Sequence, residues 1–310
     1  MSLAAVVIGR NEGARLGRSL AALNGQVAQL IYVDSGSTDG SPAAARGLGA
    51  EVVALDMATP FTAARARNAG AAVLRADITL VQFLDGDCIL RAGWLEAAQT
   101  YLAAHPKVAV VCGRRREEHP EASIYNALID REWDTPPGEA RACGGDAMMR
   151  LSALRAVGGY REDLIAGEEP ELCQRLRRAG WQIYRLDAEM TWHDAQVTRF
   201  GQWWRRSLRA GHGFAEGAAL HGKGPDRHWV AETRRALFWG ALLPGMILLL
   251  ASFAPWTAVA LALAYPLQLL RLARRGGILW GAFTLLGKFP EALGVLKYHL
   301  RRDGRIIEYR

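Results

Sequence analysis

The sequence predicts an α/β fold, a mostly parallel sheet flanked by helices, with a helical, membrane-associated region towards its C-terminal end. Three observations predict it. Apolar runs at 3–8, 29–33, 51–55 and 80–84 alternate with helical patterns, as parallel strands joined by right-handed crossovers do. The runs end in Gly, Asp or Ser, the residues of turns at strand ends. Beyond Ala236 charge vanishes over two long stretches.

The elements follow in order. Leu3–Ile8 reads as a buried first strand, Gly9–Gly13 as a loop and Ala14–Leu23 as a helix. Gln29–Val33 is a second strand that runs into the turn-rich Asp34–Ser41 and a helix through Ala43–Leu48. Glu51–Leu55 is a third strand, and Phe61–Arg75 an alanine-rich helix carrying Arg67. Leu80–Leu84 is a central strand ending in Asp85-Gly86-Asp87. Trp94–His105 reads as a helix and Val108–Gly113 as a strand. Arg114–Pro137, polar and with three consecutive arginines, reads as irregular and mobile. Ala142–Arg150 is strand-like and Ser152–Val157 a short helix. Gly167-Glu168-Glu169-Pro170-Glu171 opens a further helix, with acids and proline where helix starts favour them. Trp181–Leu186 is a strand, and Thr191-Trp192-His193-Asp194 follows another extended piece. Phe200–Leu208 mixes aromatic and basic residues, the pattern of an interfacial amphipathic helix.

Ala236–Ala254 is uncharged and about the length of a bilayer core; Trp256–Leu270 is also uncharged, somewhat short and interrupted by Pro266. Arg234-Arg235 precede them and Arg271, Arg274 and Arg275 follow, which predicts a hairpin with both ends in the cytoplasm. Gly277–Leu296 contains Lys288, Pro290 and Glu291 and is expected to lie at the interface; the tail with Arg301, Arg302 and Arg305 suits anionic headgroups. The expected domains are 1–198, catalytic; 199–235, amphipathic linker; and 236–310, hairpin, interfacial helix and basic tail.

Bulk properties narrow the function. A chain of 310 residues with 50% hydrophobic and 22% charged residues builds a globular core readily. The net charge of +7 suits anionic partners, and because the basic residues cluster beside the apolar stretches, lipid is expected and nucleic acid is not. None of the 4 cysteines forms a C-x-x-C pair, which argues against a zinc knuckle or redox motif and for reduced thiols. The first apolar run is too short for a signal peptide, so the catalytic part is expected in the cytoplasm.

The sharpest chemical signal is Asp85-Gly86-Asp87. Ligands collect at the carboxyl ends of strands in such sheets. Carboxylates at i and i+2 point the same way, and Gly86 permits close backbone approach. Hard oxygen ligands suit Mg²⁺ or Mn²⁺ shared with a diphosphate.

Taken in order, Val6-Val7-Ile8-Gly9-Arg10-Asn11-Glu12, Val33-Asp34-Ser35-Gly36-Ser37-Thr38-Asp39-Gly40, Ala66-Arg67-Asn68-Ala69-Gly70, Phe83-Leu84-Asp85-Gly86-Asp87, Gly144-Gly145-Asp146-Ala147-Met148-Met149-Arg150 and Gly167-Glu168-Glu169-Pro170-Glu171-Leu172 resemble the family 2 glycosyltransferases of GT-A fold, over residues 3 to about 195. The resemblance implies a Rossmann-like GT-A domain and a metal-dependent inverting transfer from a nucleotide-sugar, expected to be a UDP-sugar. A lipid-linked or cell-surface saccharide precursor is the expected acceptor, at the bacterial inner membrane. It implies that Gly9, Arg10, Asn11, Glu12 and Asp34 line the base and ribose pocket and that Arg67 sits close to the nucleotide. Asp87 binds the divalent cation, with His193 placed to complete its shell. Asp85, next to Gly86, contacts the ribose or a metal-bound water. Glu169 matches the general base with Glu168 beside it; this chain has Glu-Glu where the family commonly has Glu-Asp, so either acid fits the role. Gln202-Trp203-Trp204-Arg205 resembles part of the Q-x-x-R-W motif of processive synthases, but Arg206 stands where the tryptophan belongs, which argues against processivity. Rival readings are a polyprenyl-phosphate sugar transferase, whose acceptor hardly needs a base, and a nucleotidyltransferase.

Overall fold

The first apolar run becomes strand β1 (Ser2–Gly9), buried from Leu3 to Ile8, and the sheet grows outward from it. The computed structural model describes residues 1–300. It divides into two units, Met1–Thr198 and a second that begins at Arg199, each described by itself.

In the first unit α1 (Ala14–Ala21), β2 (Gln29–Asp34), α2 (Ser41–Gly47), β3 (Glu51–Ala54), α3 (Ala63–Ala72) and β4 (Ile78–Asp85) follow β1. Then come β5 (Cys88–Leu90), α4 (Trp94–Ala104), β6 (Val108–Glu117), α5 (Ile124–Trp133) and β7 (Gly138–Glu139). The unit closes with β8 (Ala147–Arg150), α6 (Leu151–Ala156), α7 (Glu168–Arg178) and β9 (Gln182–His193). All nine strands join one sheet in the order β3-β2-β1-β4-β8-β6-β9-β5, with β7 also on β9. The β3-β2-β1-β4 half is parallel. β8 enters antiparallel between β4 and β6, and β6 and β9 run parallel.

Parallel strands covered on both faces read as continuous apolar runs. Val6, Val7, Phe83 and Leu84 are fully buried, and a side chain of this kind contributes about 1.5–3 kcal/mol on burial. The strands that carry the site edge are thus among the best anchored. Helix α3 lies close on them. Thr62 caps it by accepting from the Arg65 amide at 3.1 Å. A Cβ on Gly70 would stand 2.3 Å from Val6 Cγ1, so only glycine admits this approach.

Four sequence expectations change. Arg114–Pro137 is not irregular: β6 continues through Glu117, and α5 follows a short 3₁₀ turn at Pro120–Ala122. The charges that hid the strand are paired, Arg114 with Asp187 at 2.7 Å and Arg116 with Asp130 at 2.7 Å. Trp181–Leu186 and Thr191–His193 are parts of one strand, β9. The helix expected over Phe200–Leu208 runs on to His221. Gly277–Leu296 holds two helices rather than one.

The second unit is helical: α8 (Phe200–His221), α9 (Val230–Leu237), α10 (Leu243–Ala251), α11 (Pro255–Ala262), α12 (Ala264–Gly276), α13 (Ile278–Leu286) and α14 (Lys288–Leu300). A π turn at Phe238–Leu242 joins α9 to α10. Helices α8 and α14 touch backbone to backbone. A Cβ on Gly211 would stand 2.0 Å from the Glu291 carbonyl oxygen, and one on Gly294 2.0 Å from that of Leu208. Val230–Ala251 and Pro255–Gly276, 22 residues each, are long and apolar enough to cross a membrane, and only 11% and 6% of an 18-residue apolar segment within each is buried. The Tyr265 hydroxyl donates to the Trp239 carbonyl at 2.7 Å and ties the two together. The basic tail expected at Arg301, Arg302 and Arg305 lies outside the described residues.

Candidate active site

Strand register sets the site's edge. Gly9 pairs with Asp34 and Ile8 with Asp85, so the Gly9–Glu12 loop, the Asp34 turn and Asp85 line up at the carboxyl ends of three adjacent strands. That is where α/β sheets bind ligands. The two loops are fastened to each other. The Asn11 amide donates to Ser37 Oγ at 2.9 Å, and Asn11 Oδ1 accepts from the Thr38 amide at 2.7 Å. Asn11 holds φ 55, a left-handed conformation that asparagine tolerates better than most residues. Asp34 is nearly buried: one oxygen accepts from the Tyr32 hydroxyl at 3.0 Å, the other from the Gly36 and Ser37 amides at 3.1 and 3.0 Å. Its carboxylate therefore shapes the turn. Arg10 lies over the Phe61 ring at 5.0 Å, and Glu12 pairs with Arg15 at 2.8 Å.

Asp85 lies between two arginines, Arg67 buried and Arg115 half-buried. Arg67 Nη2 donates to one oxygen at 2.8 Å, and Arg115 Nη2 stands 3.5 Å from the other. Arg67 also donates to Glu168 at 2.9 Å. Burial alone would lower the Arg67 pKa; Asp85, Tyr160 and Glu168 outweigh it and hold the guanidinium above its usual value. Asp146, fully buried, accepts from the Asp85 amide at 3.1 Å and from the Thr191 hydroxyl at 3.1 Å, with Arg115 Nε 3.4 Å away. Gly145 makes the clamp possible: a Cβ there would stand 2.8 Å from Arg67 Nη2 and 2.9 Å from Asp85 Oδ2. Gly86 turns the chain tightly, its amide donating to the Ile8 carbonyl at 2.8 Å.

Asp87 has a different neighbour. His193 Nε2 lies 2.9 Å from Asp87 Oδ2, and both side chains are buried. Strand pairing brings them together, since Cys88 on β5 is opposite His193 on β9. Burial, helped by Arg115, pushes the His193 pKa down to about 4, so the imidazole is neutral and a competent metal ligand. His193 Nδ1 is buried without a hydrogen-bond partner among the described residues. Two guanidinium groups, Arg67 and Arg115, pair with three acids, Asp85, Asp146 and Glu168, a formal surplus of one negative charge before Asp87 is counted. A carboxylate beside a neutral imidazole within that surplus fits a divalent cation.

The two glutamates opening α7 point to different places. Glu168 meets Arg67, whereas the buried Glu169 accepts at one oxygen from the Cys143 amide at 2.5 Å and the Cys173 thiol at 2.9 Å. Burial raises the Cys173 pKa to about 11 and Cys143 well above its usual value, so both thiols stay protonated. The sequence had not singled out Arg115, Asp146 or the cysteines. Arg115 was findable: period-two alternation along a continued β6 sends it to the face opposite Arg114 and Arg116.

Comparison with known proteins gives the architecture its context. Residues 5–157 match the family model Glycosyl transferase family 2. A pre-mycofactocin glycosyltransferase from Mycobacterium tuberculosis is 32% identical over 181 residues. That match covers 53% of this chain and 36% of the relative, so the chain spans little more than a third of that protein's length. Among solved structures, the mannosyltransferase PcManGT from Pyrobaculum calidifontis, in complex with GDP-Man and Mn²⁺, superposes with a TM-score of 0.67 at 19% identity. It covers 97% of this chain and 88% of its own. S. aureus TarS 1-349 in complex with UDP-GlcNAc superposes with a TM-score of 0.54 at 15% identity, covering 100% and 97%. At these identities the likeness establishes the fold, GT-A.

Proposed function

Because residues 5–157 belong to glycosyl transferase family 2, we propose that this chain transfers a sugar, with inversion, from a nucleotide-sugar donor to an acceptor hydroxyl. The observation that carries this reading is the separation of labour in one cleft edge. A neutral imidazole meets Asp87, two arginines hold Asp85, and Glu169 is buried with only neutral donors on its bonded oxygen. Asp87 and His193 would hold Mn²⁺ or Mg²⁺, which when bound offsets charge on the departing diphosphate. Asp34 and the Asn11 loop shape the pocket for the base and ribose. Arg67 and Arg115 fix Asp85 towards the ribose. Glu169 takes the proton of the attacking hydroxyl; Glu168, engaged by Arg67, holds that arginine in place and is the weaker candidate for base.

The donor class proposed is a UDP-sugar. The acceptor proposed is a lipid-linked or cell-surface saccharide precursor, because two helices fit to cross a bilayer follow the catalytic unit in the chain. Basic residues at their outer ends favour a catalytic unit on the cytoplasmic face of a bacterial inner membrane. The same helices favour, as a second reading, a polyprenyl phosphate acceptor, whose anionic oxygen needs no base. The test is product analysis of the full chain in detergent with UDP- and GDP-sugars, with Mn²⁺ or chelator, against saccharide-lipid and polyprenyl phosphate acceptors. Nucleoside diphosphate release that needs the cation and Glu169 supports the proposal. Pyrophosphate release, or undiminished turnover in chelator, overturns it.

A further inference from the structure

Two cysteines bond to the proposed base, Cys143 through its backbone amide and Cys173 through its thiol, and their thiols take no part in the transfer. Cys143 lies in the segment between β7 and β8, and Cys173 stands one helical turn after Glu169 on α7. We propose that Cys143, Glu169 and Cys173 form a second cation site, selective for thiophilic divalent ions of the zinc and cadmium class. Its occupancy takes the Glu169 carboxylate out of proton transfer, a consequence that rests on the reading of Glu169 as base.

The spacing supports it. The two Sγ atoms are 3.6 Å apart, and the ligand atoms of all three residues lie within 4.8 Å of one another. Sulfurs bound at about 2.3 Å to a tetrahedral centre stand about 3.8 Å apart, so the thiols are already near their bound separation. Three protein ligands leave a fourth position for water, the pattern of open zinc sites.

The binding step also balances in charge. Both thiols enter as S–H, and binding releases their two protons to solvent as the dication arrives. The cluster's formal charge is −1 before, from Glu169, and −1 after, from two thiolates, one carboxylate and the 2+ ion. Filling the site therefore adds no net charge to a buried place, where an added charge would cost several kcal/mol. Ligand softness separates the two sites. Carboxylate and imidazole at Asp87 and His193 suit Mn²⁺, while a thiol pair selects a softer ion. One cleft would then be switched on by a hard cation and off by a soft one.

The experiment is a Cd²⁺ titration of the Mn²⁺-loaded full chain, following the ultraviolet sulfur-to-cadmium charge-transfer band and turnover in parallel. The expected result is a band that saturates at one equivalent, disappears in Cys143→Ser and in Cys173→Ser, and persists in Cys88→Ala, with Zn²⁺ competing it away. Circular dichroism confirms that each variant is folded, and Cys143→Ala with Cys173→Ala repeats the test should a serine variant unfold. Absence of the band in the native protein, or a band that depends on Cys88 alone, overturns the site. Loss of turnover with no thiol-dependent band also overturns it, since Cd²⁺ is then replacing Mn²⁺ at Asp87. A saturated thiol-dependent band with full turnover leaves the site standing and overturns Glu169 as base.

Discussion

Asp85 lies between two guanidinium groups, whereas Asp87, two residues on, lies against a neutral imidazole, and the same contrast divides Glu168 from Glu169. In each pair one acid is held by arginine, while the other bonds to an imidazole, as Asp87 does, or to an amide and a thiol, as Glu169 does. An acid matched by a buried arginine is locked, because moving it would strand a charge that costs several kcal/mol. An acid met by neutral donors keeps charge to spend on a cation or a proton. Adjacent acids that look interchangeable in the sequence thus divide into those that hold shape and those proposed to do chemistry.

Four substitutions break or sharpen that contrast. Glu169→Gln should lower turnover by about 10²–10⁴-fold, the usual contribution of a general base, while calorimetry shows donor binding unchanged. Asp87→Asn should lower turnover about 10³-fold, since a cation supplies several kcal/mol to the departing diphosphate, and Mn²⁺ titration should show the lost affinity. Arg67→Met should act on stability instead. Removing one partner of a buried pair costs about 3 kcal/mol, the low end of the range because Arg115 still stands by Asp85, and urea unfolding reads it. Glu168→Gln should cost less than about tenfold in turnover, because an ion pair with Arg67 becomes a hydrogen bond from the charged guanidinium to a neutral amide oxygen, about 1 kcal/mol weaker. A loss in Glu168→Gln equal to that in Glu169→Gln would erase the distinction between the two glutamates.

The parallel half of the sheet was legible because runs such as Leu3–Ile8 and Leu80–Leu84 are buried on both faces and so are almost wholly apolar; the one polar residue among them, Gln82, is buried and accepts from the Trp94 indole at 2.8 Å. Asp85-Gly86-Asp87 was legible as a strand end, but the difference between its two acids was not. That difference comes from Arg115 and His193, which stand 30 and 106 residues away from the acids they face. The second half of β6 was hidden because Arg114, Arg115 and Arg116 look like a solvated loop until their acids, Asp187, Asp146 and Asp130, are in place. The cysteines looked scattered for the same reason: Cys143 and Cys173 meet only because α7 brings Glu169 to the Cys143 amide.

The pairing of β5 with β9 has a consequence for synthesis. Asp87 and His193 are 106 residues apart in the chain, while the row formed by Gly9, Asp34 and Asp85 closes within the first 85. Chains emerge from the ribosome N-terminus first, at about 5–20 residues per second, and distant contacts close last. A nascent chain can therefore assemble this row well before it owns both members of the Asp87–His193 pair. The cation site proposed at Asp87 and His193 is thus complete only when β9 adds its last residue, shortly before the two long apolar helices are made. A chain interrupted before His193 would keep the row of Gly9, Asp34 and Asp85 and lack the partner of Asp87.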